Sequence, residues 1–126
     1  MELILKNGPV QAVVTTKGAE LISFKDDSGK EYIWNGNPEF WSGRNPVLFP
    51  TVGTLKDGKI EMDGKIYEMG RHGFGRISKF AVAEQSENHV VFELKSLSIQ
   101  HIIFLPEEGE QYENTEISAW EPQYQR

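Results

Sequence analysis

The sequence predicts an all-β chain, an antiparallel β-sandwich with little or no helix, and three observations predict it. Apolar and polar residues alternate with a period of two, not 3.6, in nearly every segment up to Lys95. Turn-forming clusters of Gly, Pro, Asn and Asp interrupt those segments at short intervals. Asp63-Gly64 supplies the positive φ angles of a two-residue hairpin loop between two alternating stretches. Several short strands joined by short turns bury one face each, and a pair of facing sheets is the simplest way to do so.

Taken in order, residues 2–6 and 10–15 read as strands separated by Asn7-Gly8-Pro9. Thr16-Lys17-Gly18 turns the chain into Ala19–Lys25, where strict alternation sets Leu21 and Ser23 against Ile22 and Phe24. Asp26-Asp27-Ser28-Gly29 is a turn, Glu31–Trp34 resumes the strand, and Asn35-Gly36-Asn37-Pro38 closes it. A two-residue loop at Asp63-Gly64 pairs Met62 with Lys65 and Ile60 with Tyr67. That register puts Ile60, Met62, Tyr67 and Met69 on a core-like face and Glu61, Ile66 and Glu68 on a mostly wet one. Ser78–Glu84 and His89–Lys95 form a further alternating pair, and Ile99–Leu105 is apolar enough for one more strand.

The 126 residues suit one domain. With no cysteine, disulfide scaffolds, thiolate zinc sites and thiol catalysis are excluded. Met1–Lys6 lacks the basic and then apolar pattern of a leader, and no run approaches the ~20 apolar residues of a membrane span. A cytoplasmic protein is the expectation. The net charge of −6 is unevenly spread. Residues 1–96 are nearly neutral, whereas 97–126 carry Glu107, Glu108, Glu110, Glu113, Glu116 and Glu121 against Arg126 alone. Neither part could neutralise a row of phosphates, so nucleic acid is not an expected partner.

Two motifs fail on their context. Gly53–Lys59 fits the start of a phosphate-binding loop, but Ile60 stands where the hydroxyl belongs and a hairpin follows instead of a helix. Gly73-Phe74-Gly75 opens a dinucleotide fingerprint that Ser78 breaks. His72, His89 and His101 have no metal-ligand spacing, so no metal site is expected. Of the three, His72 lies between Arg71 and Gly73 in the run Arg71-His72-Gly73-Phe74-Gly75-Arg76. It reads either as a loop or capping histidine, or as a ligand-facing imidazole able to move a proton near neutrality. Trp34, Phe40, Trp41, Phe49 and Phe74 gather between residues 34 and 74. They read either as core and edge packing or as stacking faces for a sugar ring.

Gly18-Ala19-Glu20-Leu21-Ile22-Ser23, Trp41 with Arg44–Pro50, Val52-Gly53, Asp63–Tyr67 and His72–Arg76 together resemble the aldose 1-epimerase (galactose mutarotase) family, especially its LacX-like branch. The resemblance runs from about residue 3 to residue 96 with order and spacing kept. It implies a galactose mutarotase-like supersandwich with a sugar in a cleft, and interconversion of the α and β anomers of a free aldose such as galactose or glucose. No cofactor is implied. In that family a mid-chain histidine is the acid and a glutamate near the C-terminus is the base. By the resemblance His72 is the candidate catalytic residue and shares substrate binding with Arg44, Phe74 and Arg76.

The chain also departs from the family. It is much shorter, Thr54 stands where many members have arginine, and neither the acid histidine nor the base glutamate has a counterpart. Glu121-Pro122-Gln123 is too short a match to assign Glu121 as the base. The expected organisation is an N-terminal part of the sandwich over residues 1–96 and a divergent acidic tail over 97–126, a replaced end holding one strand and then loose chain. Uncovered sheet edges then predict self-association or a partner supplying strands. Three functions stay open: an epimerase completed by another chain, a sugar-binding module without turnover, and an inactive fragment.

Overall fold

A computed structural model describes residues 1–61 and 64–94 in full and residues 62 and 99–104 as backbone. Strands β1 (Glu2–Asn7), β2 (Val10–Thr15) and β3 (Glu20–Lys25) form one antiparallel sheet in chain order. Asn7 pairs with Val10, so Gly8-Pro9 is a two-residue turn, with Gly8 at φ 53°. The alternation in the sequence becomes the two faces of this sheet. Leu3, Leu5, Ala12 and Val14 are buried, while Glu2, Ile4 and Lys6 are exposed.

A second antiparallel sheet holds β6 (Ala81–Gln85), β7 (His89–Leu94) and β8 (Ile99–Phe104), with β7 in the middle. Phe80, Val90 and Phe92 join Leu3, Leu5, Ala12, Val14 and Ala19 in a single cluster, so the two sheets face each other across one core. Each fully buried Leu, Val or Phe contributes roughly 1.5–3 kcal/mol relative to exposure. Backbone ties hold the sheets at their margins. Gly18 N–H donates to Ser78 O at 2.7 Å, Phe80 N–H to Thr16 O at 2.8 Å and Lys6 N–H to Glu87 O at 2.7 Å. Thr16, 3% exposed, accepts at Oγ1 from the terminal amino group at 3.1 Å. Burial therefore leaves its hydroxyl satisfied.

The strict alternation expected for β3 is broken. Val14 pairs with Leu21 but Val13 pairs with Ser23, which leaves Ile22 as an extra, bulged residue. Leu21 and Phe24 therefore both pack against the core instead of lying on opposite faces. A second register shift between Val82 and Glu84 works the same way in β6.

The strand expected over Glu31–Trp34 does not form. Only Glu31 bridges to Lys25. The Glu31 carboxylate accepts from the N–H groups of Phe24 (2.8 Å), Ile33 (2.9 Å) and Tyr32 (3.1 Å) and from the Ser23 hydroxyl. The carboxylate takes the Phe24 and Ile33 amides, while Tyr32 N–H also keeps a ladder-like bond to Phe24 O at 2.9 Å, so pairing stops after one residue.

β4 (Lys59–Met62) and β5 (Lys65–Glu68) form a separate hairpin in the expected register, Met62 with Lys65 and Ile60 with Tyr67. Its expected core-like face is covered in part: Ile60 is half-buried and Met69 is buried, whereas Tyr67 is 43% exposed; on the expected wet face Glu61, Ile66 and Glu68 are exposed. Two 3₁₀ turns, Lys56–Gly58 and Gly75–Ile77, are the helical content among the described residues. The first is followed by β4, so Gly53–Lys59 lacks the helix of a phosphate-binding loop. The stretch Glu107–Arg126, expected to be loose, lies outside the described residues. Among the described residues no helix is long and apolar enough to cross a membrane.

Candidate functional site

His72 sits where two loops are clamped backbone to backbone. The Phe49 carbonyl accepts from Phe74 N–H at 2.8 Å and Gly75 N–H at 3.0 Å, and Phe49 bridges Gly73 in parallel register. The approach is close enough that a Cβ on Gly73 would stand 2.0 Å from the Phe49 oxygen, so glycine is required there. His72 and Gly73 both have left-handed backbones, at φ 65° and 70°. A non-glycine residue in that region costs of order 1–3 kcal/mol and is held by its surroundings.

Gly53 provides that hold. His72 N–H donates to Gly53 O at 2.8 Å, and Gly53 N–H donates back to His72 Nδ1 at 2.8 Å. A backbone amide can only donate, so Nδ1 must present its lone pair and the ring proton must sit on Nε2. The half-buried imidazole thus keeps Nε2–H for a ligand, and among the described residues no group accepts from it. Phe49 is among the aromatic residues read from the sequence as candidate stacking faces, but its carbonyl clamp and the role of Gly53 were not read there. The only trace of this role was a glycine just after Pro50-Thr51-Val52, in a stretch that resembles the family.

Phe74 packs edge-on against Phe49, ring centroids 6.0 Å apart and planes at 79°. Its carbonyl accepts from the Ser78 hydroxyl at 2.9 Å, which closes the loop onto the start of the second sheet. Arg76 Nη2 donates to Arg71 O at 3.1 Å, while its Nε is buried without a partner. The Arg76 backbone presses on the β2–β3 turn, where a Cβ on Gly18 would lie 2.8 Å from Arg76 O. The loop therefore rests on the sandwich at both ends.

Arg44 is positioned differently. Its Nη1 donates to Ile22 O at 2.7 Å, at the bulge of β3, and the following N–H, of Asn45, donates to Glu20 Oε1 at 2.7 Å. The bulge frees the carbonyl, and the guanidinium takes it up. Among the described residues no hydrogen bond links Arg44 to the His72 loop. The structure thus brings His72, Phe74 and Arg76 into one loop and sets Arg44 on the scaffold.

The aromatic residues divide into two groups. Phe49 and Phe74 are half-buried beside His72. Trp34 and Phe40 stack edge-on at 6.3 Å, and Trp34 Nε1 donates to Trp41 O at 2.8 Å. Phe40 (74%), Trp41 (51%) and Trp34 (41%) are exposed, which overturns the core-packing alternative for these three.

The strongest perturbations of charge lie on the turn after β3, outside the His72 loop. Hydrogen bonds from the Ser28 and Tyr32 hydroxyls hold the Asp26 carboxyl at about 2, against a partial opposing effect of desolvation. Burial pushes Glu31 up, but the Ser23 hydroxyl and the Phe24, Ile33 and Tyr32 amides more than reverse it, to about 2. The Tyr32 phenol is pushed up by donating to Asp26. Among the described residues no group of three or more His, Cys, Asp or Glu is placed to hold a metal ion.

The family model of aldose 1-epimerase matches residues 1–101. The plasmid and chromosomal LacX proteins of Lactococcus lactis subsp. lactis are each 37% identical across 75% of this chain, which covers 33% of theirs. Among solved structures, a galactose mutarotase related enzyme from Lactobacillus acidophilus superposes with a TM-score of 0.70 at 37% identity, over 75% of this chain and 32% of that one. A galactose mutarotase-like protein from Lactobacillus casei gives 0.68 at 28% identity, over 81% and 37%. The chain spans about a third of the length of the curated relatives it matches.

Proposed function

Because the chain belongs to the aldose 1-epimerase family, we propose that it carries the sugar-holding rim of an aldose 1-epimerase-like protein, with His72 as a neutral hydrogen-bond donor to a free aldose. The single observation behind this reading is the reciprocal Gly53–His72 pair, which commits Nδ1 to the scaffold and leaves Nε2–H to the ligand. Phe74 offers an apolar edge beside it, and Arg76 closes the loop behind it.

Anomer interconversion sets what more is needed. The ring C–O bond breaks as the ring oxygen gains a proton and the anomeric hydroxyl loses one. Rotation and reclosure with the reverse proton traffic return both carriers to their starting states. Each well-placed carrier contributes typically ~10² to 10⁴ in rate. His72, with its Nδ1 lone pair occupied, can offer Nε2–H to the sugar as a hydrogen bond but cannot release that proton without leaving an imidazolate, so the proton-donating carrier must be another group. The accepting side calls for a carboxylate or second imidazole, and the His72 loop itself contains neither. We therefore expect sugar recognition from this chain and anomer interconversion only with the remaining part of the fold.

A non-catalytic sugar-binding or inactive, self-associating chain is the second reading. It is favoured by Arg44 and Arg76, each of which has one guanidinium nitrogen tied to a main-chain carbonyl, of Ile22 and Arg71, and so is anchored to the scaffold. Polarimetry on freshly dissolved α-galactose or α-glucose, alongside calorimetric titration of wild type and His72→Ala, separates these readings. We expect heat of binding that His72→Ala removes, and no acceleration by the chain alone. Equal binding by the two proteins contradicts the assignment.

A further inference from the structure

We propose that Asn35 is a site of self-modification. Its side-chain amide is lost to a ring closed by the Gly36 backbone nitrogen, and the product unfastens Trp34 from Trp41.

The sequence narrows where this chemistry can run, because the attacking group is the backbone N–H of the following residue. Asn37 and Asn45 precede Pro38 and Pro46, which have no N–H. Asn88 and Asn114 precede His89 and Thr115, whose side chains crowd the attacking nitrogen. Asn7 and Asn35 precede Gly8 and Gly36, where no Cβ stands in the way.

The structure separates these two. Asn7 ends β1 in register with Val10, so ladder pairing fixes the backbone that has to turn for attack. Asn35 belongs to no strand and is exposed to water. Its Oδ1 accepts from Asn37 N–H at 2.9 Å, which curls the side chain over the intervening peptide and polarises its carbonyl. Among the described residues Gly36 N–H donates to no acceptor. A water-exposed electrophile thus stands beside an unengaged nitrogen.

The steps balance without an oxidant or a second reactant other than water. Gly36 N bonds to Asn35 Cγ, its proton leaves with the amide nitrogen, and the Cγ–N bond breaks to release ammonia. Water then opens the five-membered ring at one of its two carbonyls. Opening at Cγ gives an ordinary aspartyl link, and opening at the main-chain carbonyl gives an isoaspartyl link with one extra methylene in the backbone.

That methylene falls between two anchors. Trp34 Nε1 donates to Trp41 O at 2.8 Å. Gly36, at φ 73°, lies so close to Arg44 that a Cβ would stand 3.1 Å from its Nε, and Arg44 holds Ile22 O at the β3 bulge. Lengthening the link between the anchors breaks the more exposed one, Trp34 to Trp41.

The test is ageing of the full chain in mildly alkaline buffer, followed by peptide mass mapping with isoaspartyl detection and nitrogen-15 spectra of the Trp34 indole. We expect the amide-to-acid mass gain to accumulate at least tenfold faster at Asn35 than at Asn7, and faster still as pH is raised. The Trp34 indole signal should move in step with the isoaspartyl fraction, while amides of β1, β2 and β7 stay in place. Asn35→Ser, which keeps a side-chain oxygen for Asn37 N–H, should show neither change. Conversion at Asn7 as fast as at Asn35, or none at Asn35, overturns the site. An indole signal indifferent to the isoaspartyl fraction, or one that drifts equally in Asn35→Ser, overturns the unfastening.

Discussion

The sandwich core and the loop-and-hairpin apron from Asp26 to Ser78 are built on different physics. In the core, ladder hydrogen bonds satisfy the backbone and apolar packing supplies stability, with Leu5, Val14, Val90 and Phe92 fully buried. In the apron, single side chains satisfy backbone groups. Glu31 takes three amides, Arg44 takes the bulge carbonyl, and His72 takes the Gly53 amide. Large apolar side chains there stay exposed, among them Phe40, Val52 and Ile66. The difference teaches that the core is held by shared apolar packing, whereas the apron is held by single side-chain hydrogen bonds that one substitution can remove.

The sharpest way to break this contrast is a core truncation. Phe92→Ala should cost about 3–5 kcal/mol, enough to melt the whole chain in a urea titration. The next effect belongs to the clamp. Gly73→Ala must push aside the Phe49 carbonyl and hold a positive φ, so it should cost about 1–3 kcal/mol. Its signature in amide exchange should be confined to residues 49–53 and 70–75, with β1, β2 and β7 still protected.

The smallest effect is electrostatic. Asp26 and Glu31 are held at about 2 against ordinary values of 3.8 and 4.5. Their contribution is therefore complete above about pH 4.5 and is lost as pH falls towards 2. Amide shifts of residues 23–33 should change in that window, and Glu31→Gln should remove much of the change. A transition centred near neutrality would contradict the assigned network.

The sequence made the sheets legible because burial on one face forces period two, and it made the β4–β5 register legible because Asp63-Gly64 admits one loop length. The bulge at Ile22 was not legible, since Leu21-Ile22-Ser23-Phe24 satisfies plain alternation as written. Only the paired strand shows that one residue is extra. Glu31–Trp34 misled for a related reason, because the competition between a carboxylate and a ladder depends on where residue 31 arrives in space. At the site, the residue types were readable but their partners were not. Arg44 and His72 both sat in motif-like runs, yet a carbonyl 22 residues away and an amide 19 residues away decide what each can do.

The central claim is that His72 meets an aldose through Nε2–H while Gly53 holds Nδ1. Nitrogen-15 mapping of backbone amides and imidazole nitrogens during titration with galactose or glucose tests it most directly. The account predicts an unprotonated Nδ1 and a protonated Nε2 before sugar, then sugar-dependent shifts at Gly53, His72, Gly73 and Phe74. A ring protonated on Nδ1, or shifts centred on Trp34–Trp41 with the His72 loop silent, would contradict it.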